Sequence, residues 1–207
     1  VRLMAGEQAL EQLPDELMAL GARRPLLLTD KGVGGSGLAT LLANVLAEGG
    51  LPVAAIWDEI PADSSTAVVE RIATRWRELG CDSLVALGGG SVIDTAKAVN
   101  ILVTLGGERL LDHAGAGCLT RPLKPLAAVP TTAGTGSEVT LVAVIRDEGS
   151  GRKVPFTSPF LLPQLAVLDP RLTRGLPLPI TAATAMDAMT HAIEAFIGNA
   201  KNPVSDA

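Results

Sequence analysis

Tyrosine is absent from this chain, and aromatic residues make up 2% of it. A groove that stacks bases on aromatic rings cannot be built from so few platforms. Positive charge is also short: 17 Lys and Arg against 22 Asp and Glu leave a formal net charge of −5. Such a chain has no basic footprint for nucleic acid. Two cysteines, Cys81 and Cys118, make neither a disulfide framework nor a zinc-finger pattern. They read as small packed side chains in a reduced, cytoplasmic setting. No apolar stretch approaches the roughly 18 residues of a membrane span, so no membrane role is expected. Val1-Arg2-Leu3-Met4 holds no signal-peptide core. An opening on Val1 rather than Met suggests a chain trimmed at that end.

What is present is hydrophobic: 47% of the residues, enough for a sizeable core. Short apolar runs alternate with helical patterns through the first half. Pro25–Asp30, Val53–Trp57, Ser83–Leu87 and Leu126–Pro130 read as strands. Ser36–Ala47, Ser64–Leu79 and Val92–Leu105 read as helices, the second opened by Ser64 or Ser65 and closed by Gly80. Continuous apolar runs suit strands buried on both faces. The repeated βα units predict an α/β fold, a Rossmann-like, doubly wound, mostly parallel sheet. Thr140–Arg146 and Lys153–Phe156 flank Asp147-Glu148-Gly149-Ser150-Gly151, which predicts a β-hairpin. Leu165–Pro170 is a further short strand. After Leu176-Pro177-Leu178-Pro179-Ile180 the pattern turns helical from Thr181 to Ile197. A boundary there divides the chain into an α/β domain over 1–178 and the start of an all-α domain over 179–207. One helix is not a domain, so the expectation is a chain cut short at its C-terminus.

Three clusters can carry chemistry. Gly88-Gly89-Gly90-Ser91 follows an apolar strand and opens a helix. Glycines let a backbone approach a ligand closely, and a helix start presents N–H groups and a positive dipole end to an anion. The turn is not the G-x-G-x-x-G fingerprint, and a tight βα turn that binds nothing remains open. Asp94, one turn into the helix, is either a site residue or a dipole-favoured acid. Pro130-Thr131-Thr132-Ala133-Gly134-Thr135-Gly136-Ser137-Glu138 packs hydroxyls and glycines behind a strand end, where ligands of open α/β sheets bind. Asp30 closes the first strand, either as a ribose acceptor or as a turn and capping residue. Finally, Asp187 and His191 stand i and i+4 on the last helix, so both can face one metal. Glu194 on the same stripe can orient His191. Two ligands are fewer than catalytic sites usually take, and an ordinary polar contact remains open. His113, with no partner at metal spacing, reads as a loop residue.

Taken in order, Gly88–Lys97, Pro130–Thr140 and Thr181–Ala195 resemble the corresponding motifs of the iron-containing (group III) alcohol dehydrogenases, and the resemblance spans nearly the whole chain. It implies an N-terminal dinucleotide domain and a C-terminal helical domain with the active site between them. It implies that Gly88, Gly89, Gly90 and Ser91 hold the pyrophosphate of NAD, with Asp94 beside them near the nicotinamide. Thr131, Thr132, Thr135 and Lys153 would also contact the cofactor. Asp30 matches an acid that favours NAD over NADP. Asp187 and His191 match the first two of four ligands to a divalent metal, Fe2+ in preference to Zn2+. The other two would be histidines on later helices. Val142 departs from members that carry a polar residue there. The implied protein is an NAD(H)-dependent, metal-dependent oxidoreductase acting on a small alcohol or aldehyde, as a homodimer, with this fragment inactive alone. The glycerol dehydrogenase and dehydroquinate synthase branch shares the glycine turn. A non-catalytic nucleotide-binding module, or an interaction fragment, is the alternative from another class.

Overall fold

Leu26, Leu27 and Leu28 are all fully buried although successive strand residues point to opposite faces, so this strand is wetted on neither side. The computed structural model, which describes residues 1–115, 117–199, 202, 203 and 205, extends that arrangement to a six-stranded sheet. Its strands are β1 (Arg2–Ala5), β2 (Pro25–Leu28), β3 (Ala55–Trp57), β4 (Ser83–Gly88), β5 (Leu126–Pro130) and β8 (Leu165–Leu168). They lie in the order β1-β8-β5-β4-β2-β3, and every pairing is parallel. Helices α1 (Leu13–Ala19), α2 (Lys31–Gly35), α3 (Leu38–Glu48), α4 (Thr66–Glu78), α5 (Gly90–Leu105) and α6 (Leu178–Ile197) complete the chain, with short 3-10 turns between.

The sheet divides the core in two. Leu26, Leu28, Leu84, Ala86 and Ala128 pack with Val69, Ile72 and Trp76 of α4 and Ile93 and Ala96 of α5. Leu27, Val85, Leu87, Ala127 and Val129 pack on the other face with Leu13 and Leu17 of α1 and Leu42 and Leu46 of α3. The predicted hairpin, β6 (Val142–Arg146) and β7 (Lys153–Thr157), forms a separate antiparallel pair, not part of the main sheet. Its inward residues Ala143, Ile145 and Phe156 cover the α4–α5 side of the core. The turn closes because the Asp147 carboxylate accepts from the Gly149 and Ser150 amides.

Several elements differ from the sequence expectation. β1 and α1 were not foreseen. β1 buries only Met4 among its four residues, and a lone inward side chain leaves no apolar run to detect. Helix α6 begins at Leu178, ahead of Thr181, because Pro179 in the first turn loses no intrahelical hydrogen bond there. None of α6 is buried, and Met186, Met189, Ile193, Phe196 and Ile197 are each about half exposed or more. Of the stretch assigned to a second domain, residues 200, 201, 204, 206 and 207 lie outside the described residues.

Candidate functional site

β3 and β4 flank β2 on opposite sides, so the chain leaves β2 one way and returns the other. Ligands of open α/β sheets bind beyond the strand ends at such a switch point. A cleft of about 1050 Å³ opens there, lined among others by Asp30, Gly89, Gly90, Ser91, Thr131, Thr132 and Thr135. Two strand-end loops therefore meet at this cleft. Their contact is close: the Thr131 amide donates to the Gly88 carbonyl at 3.1 Å. A Cβ on Gly90 would lie 2.9 Å from the Thr135 methyl, so only glycine admits this approach. The first turn of α5 has no side-chain cap, and its leading N–H groups have no intrahelical acceptor. This cradle fits an anion, and a pyrophosphate in particular, because hydroxyls ring it.

Asp30 takes the capping role and also stands at the cleft. Its carboxylate accepts from the Val33 amide at 2.9 Å, capping α2, and it also lines the cleft. One signal escaped the sequence analysis. Gly32-Val33-Gly34-Gly35-Ser36-Gly37 has the G-x-G-x-x-G spacing and begins inside α2, after Thr29, Asp30 and Lys31 have left β2. In the structure Asp30 already occupies the anion position at that helix start, so the spacing offers no second phosphate cradle.

Asp94 and Lys153 do not line the cleft. The Asp94 Oδ2 accepts from the Val144 amide at 2.9 Å, while its Oδ1 is buried with no hydrogen-bond partner. Burial raises its pKa, opposed by the Val144 amide and the Lys97 charge. Lys97, a motif residue without an assigned role, is fully buried and donates to the Thr140 carbonyl, the Thr140 hydroxyl and the Val142 carbonyl. Burial pushes its pKa down to about 8, with Asp94 and Glu138 opposing. The two side chains thus tie β6 to α5, directly behind the cradle. Lys153 pairs with Asp63 at 2.8 Å, and the Asp63 amide donates to the Ser91 hydroxyl at 3.3 Å. Asp63, at φ 58°, is in the left-handed region, and nothing in the local sequence marks it as a bridge between the hairpin and the cradle. His113 closes a loop by a hydrogen bond with the Gly106 carbonyl.

Helix α6 reaches the cleft through Ile180 and Thr184. A Cβ on Gly134 would lie 2.5 Å from the Thr184 carbonyl oxygen, which shows how tightly the threonine loop meets this helix. Asp187 and His191 follow Thr184 at spacings of three and four, so all share one face. His191 Nε2 and Asp187 Oδ1 stand 3.7 Å apart, and both side chains are half exposed. Two donors bound to one metal at about 2.1 Å sit roughly 3.4 Å from each other, so a carboxylate and an imidazole here fit a divalent ion. Among the described residues no third His, Cys, Asp or Glu joins them. His191 is partnered by Asp187 rather than by Glu194.

The iron-containing alcohol dehydrogenase profile matches residues 1–170. The chain is 48% identical over 202 residues to 4-hydroxybutyrate dehydrogenase of Cupriavidus necator, covering 96% of this chain and 52% of that protein. It is 38% identical to an NAD-dependent methanol dehydrogenase of Bacillus methanolicus, covering 98% of this chain and 52% of the relative. Among solved structures, 1,3-propanediol oxidoreductase superposes with a TM-score of 0.93 at 38% identity, over 99% of this chain and 53% of that one. Sulfoacetaldehyde reductase of Bifidobacterium kashiwanohense, in complex with NAD+, superposes at 0.89 with 32% identity, over 100% and 54%. The chain spans about half the length of the relatives it matches.

Proposed function

The chain belongs to the iron-containing alcohol dehydrogenase family, and we propose that it supplies the NAD-binding part and the first metal-bearing helix of an oxidoreductase interconverting a small alcohol and its aldehyde or ketone. The observation that carries this is the uncapped start of α5 facing a threonine loop in a cleft that α6 also borders. Residues 1–178 form the cofactor domain, and 179–207 begin the helical, metal-binding part. The protein works as a cytoplasmic homodimer, a reading that rests on the family resemblance and on the unpaired Cys81 and Cys118. Among the described residues no helix is long and apolar enough to cross a membrane.

The Gly90 and Ser91 amides donate to the pyrophosphate, where the α5 dipole favours negative charge. Thr131, Thr132 and Thr135 fix its orientation through their hydroxyls. Asp30 accepts from an adenosine ribose hydroxyl. Lys153, steered by Asp63, places a positive charge beside Ser91. Asp94 and Lys97 hold the hairpin that carries Lys153. Asp187 and His191 would hold the metal, Fe2+ or alternatively Zn2+. A bound metal would supply Lewis acidity toward the alcohol oxygen, and NAD would supply the hydride-transfer chemistry.

Titrating the purified chain with NADH, followed by cofactor fluorescence, tests the reading. Saturable binding is expected, and none at millimolar cofactor would refute it. With Fe2+ and NAD+ added, this 207-residue chain is expected to oxidise no short-chain alcohol or diol, because two donors are too few to fix a catalytic metal. Steady NADH production by the isolated chain would overturn that argument. Asp30→Gly is expected to raise the ratio of NADPH to NADH affinity about 10-fold, the scale of one like-charge contact in a partly solvated cleft. An unchanged ratio would leave Asp30 as a capping residue only.

A further inference from the structure

Beyond Asp30, a second carboxylate borders the same end of the cleft. β2 and β3 pair in parallel with Leu28 opposite Trp57. Asp30 and Glu59 each lie two residues beyond these neighbouring strand ends. The backbone ties the two segments together there: the Thr29 amide donates to the Trp57 carbonyl at 2.8 Å, and the Ile60 amide to the Thr29 carbonyl at 3.3 Å, one residue beyond regular register. Both residues line the cleft. Asp58, between Trp57 and Glu59, instead packs beside Gly34.

The strand order sets which end of a dinucleotide reaches this corner. The cradle stands at the end of β4, the threonine loop at the end of β5, and Asp30 and Glu59 at the ends of β2 and β3. The metal-bearing helix meets the threonine loop, on the β5 side. A cofactor with its pyrophosphate on β4 and its reactive ring toward α6 must extend its other nucleoside across β2 and β3. Two strand spacings, about 10 Å, separate the cradle from Glu59.

Glu59 makes a long, exposed ion pair that leaves its carboxylate open to solvent. Its nearest cation, Arg71, stands 3.9 Å away at an exposed pair and also lies over the Trp57 ring. Lys31 lines this end of the cleft too, and among the described residues it forms no ion pair. In the lining of the cleft at this corner two carboxylates face one lysine, because Arg71 lies over Trp57 outside that lining.

We propose that Glu59 is a second specificity-determining carboxylate, which together with Asp30 rejects a phosphate on the adenosine ribose and sustains that rejection when Asp30 is removed. This rests on the cofactor reading above. With Asp30 alone neutralised, Glu59 offsets Lys31. With both neutralised, Lys31 becomes a partner for the 2′-phosphate.

The test is a set of NADH and NADPH titrations of the wild-type chain, Glu59→Gln, Asp30→Gly and the double variant, each with a thermal midpoint to verify folding. Glu59→Gln is expected to strengthen NADPH binding about 5-fold and to change NADH binding less than about 2-fold. The double variant is expected to raise the NADPH to NADH ratio about 100-fold over wild type, and that gain should shrink at high salt. If Glu59→Gln leaves the ratio unchanged in both backgrounds, or weakens both cofactors equally, the proposal is overturned while NAD binding stands. If the wild-type chain binds no NADH, the cofactor reading itself fails and the proposal falls with it.

Discussion

Gly90→Val is expected to weaken NADH binding about 100-fold or more. The first contribution is steric. Even a Cβ at this position meets the Thr135 methyl at 2.9 Å and the Thr135 hydroxyl at 3.1 Å, so a branched side chain must push the threonine loop away from α5. The second is electrostatic. On the proposed reading the Gly90 and Ser91 amides reach the pyrophosphate, and a hydrogen bond to a charged group contributes about 1.5–3 kcal/mol. Losing one such bond and straining the other accounts for about 2.7 kcal/mol, which is 100-fold in affinity. A rescue separates local geometry from misfolding. Gly90→Ala should weaken NADH about 10-fold, and adding Thr135→Ser, which removes the clashing methyl, should recover much of that loss. An affinity untouched by Gly90→Val would place the pyrophosphate elsewhere.

Asp169→Ala is expected to give the largest loss of stability, about 2 kcal/mol, or roughly 4–8 °C in melting temperature for a chain of this size. Asp169 follows β8 and is buried, at 2% exposure. It accepts from the Leu10 and Arg171 amides and from the Arg171 guanidinium, which also holds Glu11. The cluster pins the segment after β1 to the segment after β8. Alanine leaves two backbone donors and an arginine without their acceptor. The figure stays modest because Arg171 is a third exposed and its pairing is screened. The Arg171 guanidinium holds the Asp169 carboxyl below its usual value of 3.8. A lowered folded pKa gives stability that is present above the unfolded value and lost as pH falls through the folded one. Melting curves of wild type and variant should therefore differ fully at neutral pH and converge in acid below 3.8. A constant gap across that range would contradict the ion-pair account.

The runs Leu26–Leu28, Ser83–Leu87 and Leu126–Pro130 were legible as buried strands because burial on both faces demands apolar residues at every position. The three motifs were legible for a similar reason: a close backbone approach admits only glycine, and a helix face repeats every three or four residues. β1 was not legible, since a four-residue edge strand with one inward side chain carries no periodic signal. Nor was Asp63, whose bridge to Ser91 of α5 and Lys153 of β7 joins three segments distant in sequence.

Sequence alone determined that this is an α/β chain with a cradle turn, a hydroxyl-rich loop and an Asp-x-x-x-His helix, because each is written in local spacing. Only the tertiary structure decided which of these meet. Parallel order brought the ends of β4, β5 and β2 to one cleft, left Asp94 buried against β6 and Lys153 on an exposed pair with Asp63, and put Glu59 in the same lining as Asp30. The register that does this is fixed by long-range pairing of strands, which no local window of residues contains.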